Sequence, residues 1–131
     1  MILEAEKQEP SNVSDFGRVE TTLRKLKSYG PSSFASLTSV DGSYVQVAGG
    51  RVTCILEYRA TNSNALSRAY LAEKRSPFEG IQTLVCGAGH IKMMPDEILF
   101  IDDVIPVFEA FYMGASFPEV VLWREVLSVE D

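Results

Sequence analysis

Apolar residues change their spacing twice along this chain. Phe16, Val19, Leu23 and Leu26 recur at helical intervals, Ser14 or Asp15 stands where a cap is needed, and Gly30-Pro31 follows. This spacing predicts a first helix over residues 15–29. Its other face carries Arg18, Arg24, Lys25 and Lys27, the composition of a solvated face. From Ser33 the period becomes two. Ser33 to Thr38 and Tyr44 to Val47 alternate on either side of Asp41-Gly42, a two-residue hairpin signal, and Gly49-Gly50 is expected to turn the chain into a third strand running to Arg59. Leu66 to Leu71, Thr83 to Cys86 and His90 to Met93 are expected to extend that sheet to five or six strands. Loops are read at Thr61-Asn62-Ser63-Asn64 and at Ser76 to Gly80.

Helical spacing returns in Val104, Val107, Phe108 and Phe111, which predicts a second helix over residues 102–113. Asp102 is placed to cap it, Pro106 is tolerable in its first turn, and Gly114 closes it. Phe117-Pro118 then turns the chain into a final strand near residues 119–124. The opening residues 1–13 are largely polar, contain Pro10 and are expected to form a flexible arm. The order helix, strands, helix, strand predicts a single α+β domain over residues 1–131. Its mostly antiparallel sheet of five to seven strands is covered by two helices.

A chain of 131 residues buries roughly two-thirds of its unfolded surface, so neither a metal nor a disulfide is required to hold a core. The cysteines, Cys54 and Cys86, are read as reduced thiols, with Cys54 a small hydrophobe inside an apolar run. The N terminus shows no basic leader followed by an apolar stretch, and charges interrupt the longer apolar runs, so a soluble cytoplasmic protein without a membrane partner is expected. A net charge of −6 argues against nucleic acid as a partner.

That charge is unevenly spread: residues 1–95 sum to +2 and residues 96–131 to −8, with Arg124 the lone cation of the second part. Carboxylates at a helix start complement the helix dipole, which accounts for Asp102 and Asp103 but not for the scarcity of cations after position 95. On a helical wheel Asp102 and Glu109 point outward on one face, with no Lys or Arg three or four residues away. Asp96, Glu97, Asp102, Asp103 and Glu109 are therefore the candidate residues for binding a basic partner. Cys86 and His90, four apart across Gly87-Ala88-Gly89, are the candidate nucleophilic pair of an alternative reading, a small cysteine-dependent hydrolase or transferase. That pair lacks an evident orienting third group. A single histidine and two distant cysteines fall short of a zinc set, and neither glycine cluster has the helix a phosphate loop needs, so no metal, cofactor or catalytic residue is expected.

Tyr44-Val45-Gln46-Val47-Ala48-Gly49-Gly50, the Glu57-containing strand, and the run from Pro95-Asp96-Glu97 through Phe108-Glu109-Ala110-Phe111, Gly114 and Phe117-Pro118 to Trp123-Arg124-Glu125 resemble small immunity proteins of bacterial polymorphic toxin systems. The group in question is often encoded beside deaminase-type toxins. The resemblance covers residues 33–126 and lies in spacing. It implies a non-enzymatic protein of the producing cell that binds a cognate, basic toxin domain and blocks its active site or substrate path. Trp123 and the two phenylalanines are read as core residues, and a homo-oligomer is left open.

Overall fold

In the computed structural model, which describes residues 1–28, 30–63, 65–87 and 89–126, the chain folds as α+β. A seven-stranded antiparallel sheet runs in the order β2 (Ser11–Asn12), β1 (Ile2–Ala5), β3 (Phe34–Thr38), β4 (Tyr44–Gly50), β5 (Thr53–Arg59), β6 (Leu66–Leu71) and β9 (Val121–Val126), and β7 (Gln82–Cys86) and β8 (Gly89–Met93) form a separate two-stranded ribbon. Its centre is a meander of β3 (Phe34–Thr38), β4 (Tyr44–Gly50), β5 (Thr53–Arg59) and β6 (Leu66–Leu71). The last described strand, β9 (Val121–Val126), returns to pair with β6 from Leu71↔Val121 to Leu66↔Val126. Tyr29, Asn64 in the predicted loop, Ala88 in the glycine cluster and the acidic Glu130 and Asp131 lie outside the described residues.

Alternation sends Leu37, Val45, Val47, Leu56 and Ala69 to the inner face of the sheet, all essentially inaccessible to water. Helix α1 (Phe16–Arg24) lays Val19 and Leu23 on that face, and α2 (Ile101–Met113) lays Val104, Val107 and Phe108 beside them. Burying a side chain the size of Phe108 stabilises the fold by about 1.5–3 kcal/mol. No helix is long and apolar enough to cross a membrane among the described residues.

Several local expectations are corrected. Residues 1–13, expected as an arm, supply β1 (Ile2–Ala5) and β2 (Ser11–Asn12): β1 pairs with β3 over four residues, and Leu3 and Val13 are buried. Two apolar side chains inserted into an existing core outweigh the polar composition around them. Helix α1 is capped by Asp15, which accepts from the Arg18 N–H, and it stops at Arg24 rather than 29. Beyond it the Leu26 carbonyl lies against Gly50, where a Cβ would overlap it. Gly49 and Gly50 are thus the last residues of β4 and not a turn. The turn is Arg51-Val52, with Arg51 at φ 57°. Asp41-Gly42 lies within a five-residue connection, since Thr38 pairs with Tyr44.

Helix α2 begins one residue early, on Phe100, whose N–H donates to Asp103 Oδ2 at 2.9 Å; Asp103, not Asp102, satisfies its start. Pro106 consequently falls beyond the first turn, on the exposed side. Gly114 ends the helix at φ 71°, as its position implied. The strands β7 (Gln82–Cys86) and β8 (Gly89–Met93) do not extend the sheet but lie across its outer face, burying Leu84 and Met93 against Ala48, Ile55 and Ile98.

Because a methyl at Gly50 would press into backbone and not into a movable side chain, Gly50→Ala should destabilise the protein by about 1–3 kcal/mol, the cost of overpacking. Urea unfolding checks this as a lower midpoint at unchanged slope.

Candidate functional site

Residues directly opposed on neighbouring strands share a face. The register therefore aligns Glu4, Ser36, Gln46, Glu57, Arg68 and Arg124 in one row across the outer face, from β1 to β9. Four of these six side chains are held by partners. Gln46 Nε2 donates to Glu57 Oε1 at 2.8 Å, and Arg68 Nε and Nη2 donate to Glu57 Oε2 at 3.0 and 2.7 Å. The 3-10 turn Pro95–Glu97 then sets Glu97 over the row, where it accepts from Arg68 Nη1 at 3.4 Å, Arg124 Nη1 at 3.0 Å and the Met94 N–H at 2.8 Å. Arg124 also holds Asp96 at 2.8 Å and stacks 4.0 Å above the Tyr70 ring. Its bonds to Asp96, and secondarily to Glu97, raise its pKa further above the ordinary arginine value.

The β1–β3 end of the row is open. There a pocket of about 350 Å³ has a floor of Phe34, Ser36, Gln46, Ala48, Ile55 and Glu57, a wall formed by residues 4–8, and Ile91 of β8 opposite. Its corner is fixed by Glu6, whose Oε1 accepts from the buried Ser33 N–H at 2.8 Å and hydroxyl at 2.7 Å, while Ser33 Oγ accepts from the Gly87 N–H at 2.8 Å. The Ser33 hydroxyl, then its N–H, hold the Glu6 carboxyl below the usual glutamate value. A Cβ at Gly87 would overlap the Glu6 carboxylate, so a side chain there would have to push that carboxylate out of the latch. The latch joins the β7–β8 ribbon to the end of β1.

The five acidic candidates do not form one surface. Asp96 and Glu97 belong to the arginine network on the outer face. Asp103 is almost covered and takes both donors of Arg75 at 2.7 Å; that ion pair raises the Arg75 pKa. Asp102 is exposed and bonds Arg24 Nη1 at 3.2 Å, so the cation missing from α2 comes from α1. Glu109 is exposed on α2. Arginines from earlier in the chain thus answer Glu97, Asp102 and Asp103, three of the nine carboxylates after position 95.

The hydrolase alternative gains no geometry. Cys86 pairs with Gly89 and His90 with Val85, so the two side chains point to opposite faces of the ribbon. The Cys86 thiol donates to the Gly89 carbonyl at 3.6 Å and packs toward the second core, while His90 is exposed. Both cysteines are free, and burial pushes the Cys54 thiol up to about 12, with a smaller contribution from Asp103. Among the described residues no group of three or more His, Cys, Asp or Glu side chains converges as a metal site. The aromatic residues of the C-terminal pattern are structural: the Phe117 and Trp123 rings lie 5.1 Å apart, tilted by 39°, and both meet Tyr58 edge-on beside Phe111. The outer-face row and its pocket escaped the sequence reading, although the alternation in β4 and β5 places Gln46 and Glu57 on one face.

No known protein family matches this sequence, and no curated protein matches it.

Removing Arg68 leaves Glu57 and Glu97 under-compensated at low exposure, so Arg68→Met should cost about 3–5 kcal/mol, with part recovered in Arg68→Met/Glu57→Gln. Equilibrium urea curves of the four proteins in that cycle measure it. The latch predicts a pH effect of defined sign. Because the Glu6 pKa is lowered in the folded state, its contribution is present above the ordinary value near 4.5 and lost as pH falls through the native value. Glu6→Gln should therefore lose stability less steeply than wild type in melting experiments below about pH 4.5.

Proposed function

We propose that this protein is an immunity protein that neutralises a cognate bacterial toxin domain by protein–protein contact, and that the contact is made by the open part of its outer sheet face. The toxin class follows from the resemblance of residues 33–126. The observation that supports the contact surface is the half-covered outer face itself. The 3-10 turn closes its β6–β9 side and the ribbon covers Ala48 and Ile55 of β4 and β5, while the rest of β3 and β4 presents Ser36, Thr38, Tyr44 and Gln46, partly accessible. Groups already held in place lose little freedom on binding, which favours affinity. Tyrosine supplies contact area at low entropic cost.

The acidic groups divide between two tasks. Asp96, Glu97 and Asp103 hold the fold, and the exposed Asp102 and Glu109, on the helical side, contribute to the negative field that draws in a basic partner. In cells producing the polypeptide encoded beside this gene, co-expression of the protein should restore growth. Tyr44→Ala should weaken the complex about tenfold, a typical loss for a central aromatic contact. Reversal of both Asp102 and Glu109 to Lys should slow association at low salt and leave dissociation unchanged. A neighbouring product that is harmless, or toxicity that the protein does not relieve, defeats this reading.

A further inference from the structure

The pocket at the open end of the row has a lining suited to one kind of side chain. Phe34, Ala48, Ile55 and Ile91 give it an apolar interior, and Glu4, Glu6 and Glu57 line it with one cation, Lys7, Glu57 being also paired with Arg68. Its volume of about 350 Å³ is at the low end of the roughly 300–1,000 Å³ usual for small-ligand sites, enough for one inserted side chain. We infer that this pocket takes an arginine side chain of the protein partner. The inference rests on the reading of the protein as a toxin-binding domain and names what that partner must present.

The acceptors are specific. Glu4 is exposed, and its side chain makes no hydrogen bond or ion pair among the described residues. Glu57 receives both arginine donors on Oε2 and only Gln46 on Oε1, so Oε1 keeps a free lone pair. Gln46 donates through Nε2, which leaves its carbonyl oxygen as a further acceptor in the lining. A guanidinium offers several donors in a fixed plane and is more weakly hydrated than an ammonium, so it suits spaced acceptors above an apolar floor better than lysine does. Its methylene stem would cover Phe34 and Ile55. The same face already holds a guanidinium this way, since Arg124 lies on the Tyr70 ring while binding Asp96 and Glu97.

The test titrates the isotope-labelled full chain with N-acetyl-arginine amide, its neutral isostere N-acetyl-citrulline amide and the lysine analogue, followed by amide NMR shifts. Saturable shifts should cluster at Phe34, Ser36, Gln46 and Ala48, with arginine binding at least about threefold tighter than citrulline, the scale of a solvent-accessible ion pair. Lysine should fall between them. Glu4→Gln, a change at an exposed unpaired residue, should narrow the arginine–citrulline difference without disturbing the rest of the spectrum. Equal binding of arginine and citrulline, tighter binding of lysine, or shifts that fail to saturate or fall elsewhere would overturn the inference. No toxin enters this measurement. Its failure removes the arginine pocket alone, whereas a pocket that selects arginine in a protein that protects no cell removes only the toxin reading.

Discussion

A carboxylate with 4% of its residue surface exposed must have its charge and its lone pairs answered from within the protein, and the arrangement around Glu97 follows from that requirement. Arg68 and Arg124 come from adjacent strands, and Met94 supplies a backbone donor. To satisfy them together, the 3-10 turn must lie flat on β6 and β9. The β7–β8 ribbon that precedes it is then drawn over the neighbouring strands, where Arg68 also bonds the Lys92 carbonyl. Leu99 follows immediately and exchanges both backbone hydrogen bonds with Cys54, carrying the chain from the outer face to the start of α2. One ionic centre thus sets both layers that flank the sheet.

The division of the outer face follows from where this centre sits. It binds the covering segment to the β6–β9 side, and the Glu6–Ser33–Gly87 latch pins the far corner of the ribbon to β1. Between these two fixings the ribbon reaches Ala48 and Ile55 but leaves Ser36, Thr38 and Tyr44 partly accessible. The accessible area is bounded on both sides by polar groups with fixed partners, so a ligand there meets a surface of settled shape and not a loop that must first be ordered.

Periodicity carried most of the architecture. The alternation of β4 and β5 and the spacing of Val104, Val107, Phe108 and Phe111 reflect the pleat and the helical turn directly, so fold class, both helices and the meander were legible. What was hidden depends on pairs distant in sequence. Arg24 meets Asp102 across 78 positions, and Arg124 meets Glu97 across 27, whereas a helical wheel registers neighbours three or four apart. Asp102 therefore looked uncompensated when it is not. The first strand was hidden for another reason: Leu3 is its lone fully buried side chain, too short a signal for any period, and its place is set by the edge that β3 leaves free. Gly49 and Gly50 were read as a turn, whereas they end β4, where a side chain would run into the backbone of Thr53 and Leu26 and where Gly49 adopts a positive φ.

The order of the chain gives the ionic centre a history during synthesis. Glu57, Arg68 and Glu97 leave the ribosome well before Arg124, and domains assemble largely as their segments emerge. The nascent meander can form and Glu57 can meet Arg68 while β6 still has a bare outer edge and Glu97 has only one of its two counter-charges. Addition of β9 then completes two things in one step: it covers that edge and neutralises the carboxylate. The strand that brings Glu97 its second counter-charge is also the one that becomes the new edge of the sheet, and unlike the apolar run of β5 it carries adjacent charges, Arg124 and Glu125, which guard an edge against pairing with another chain.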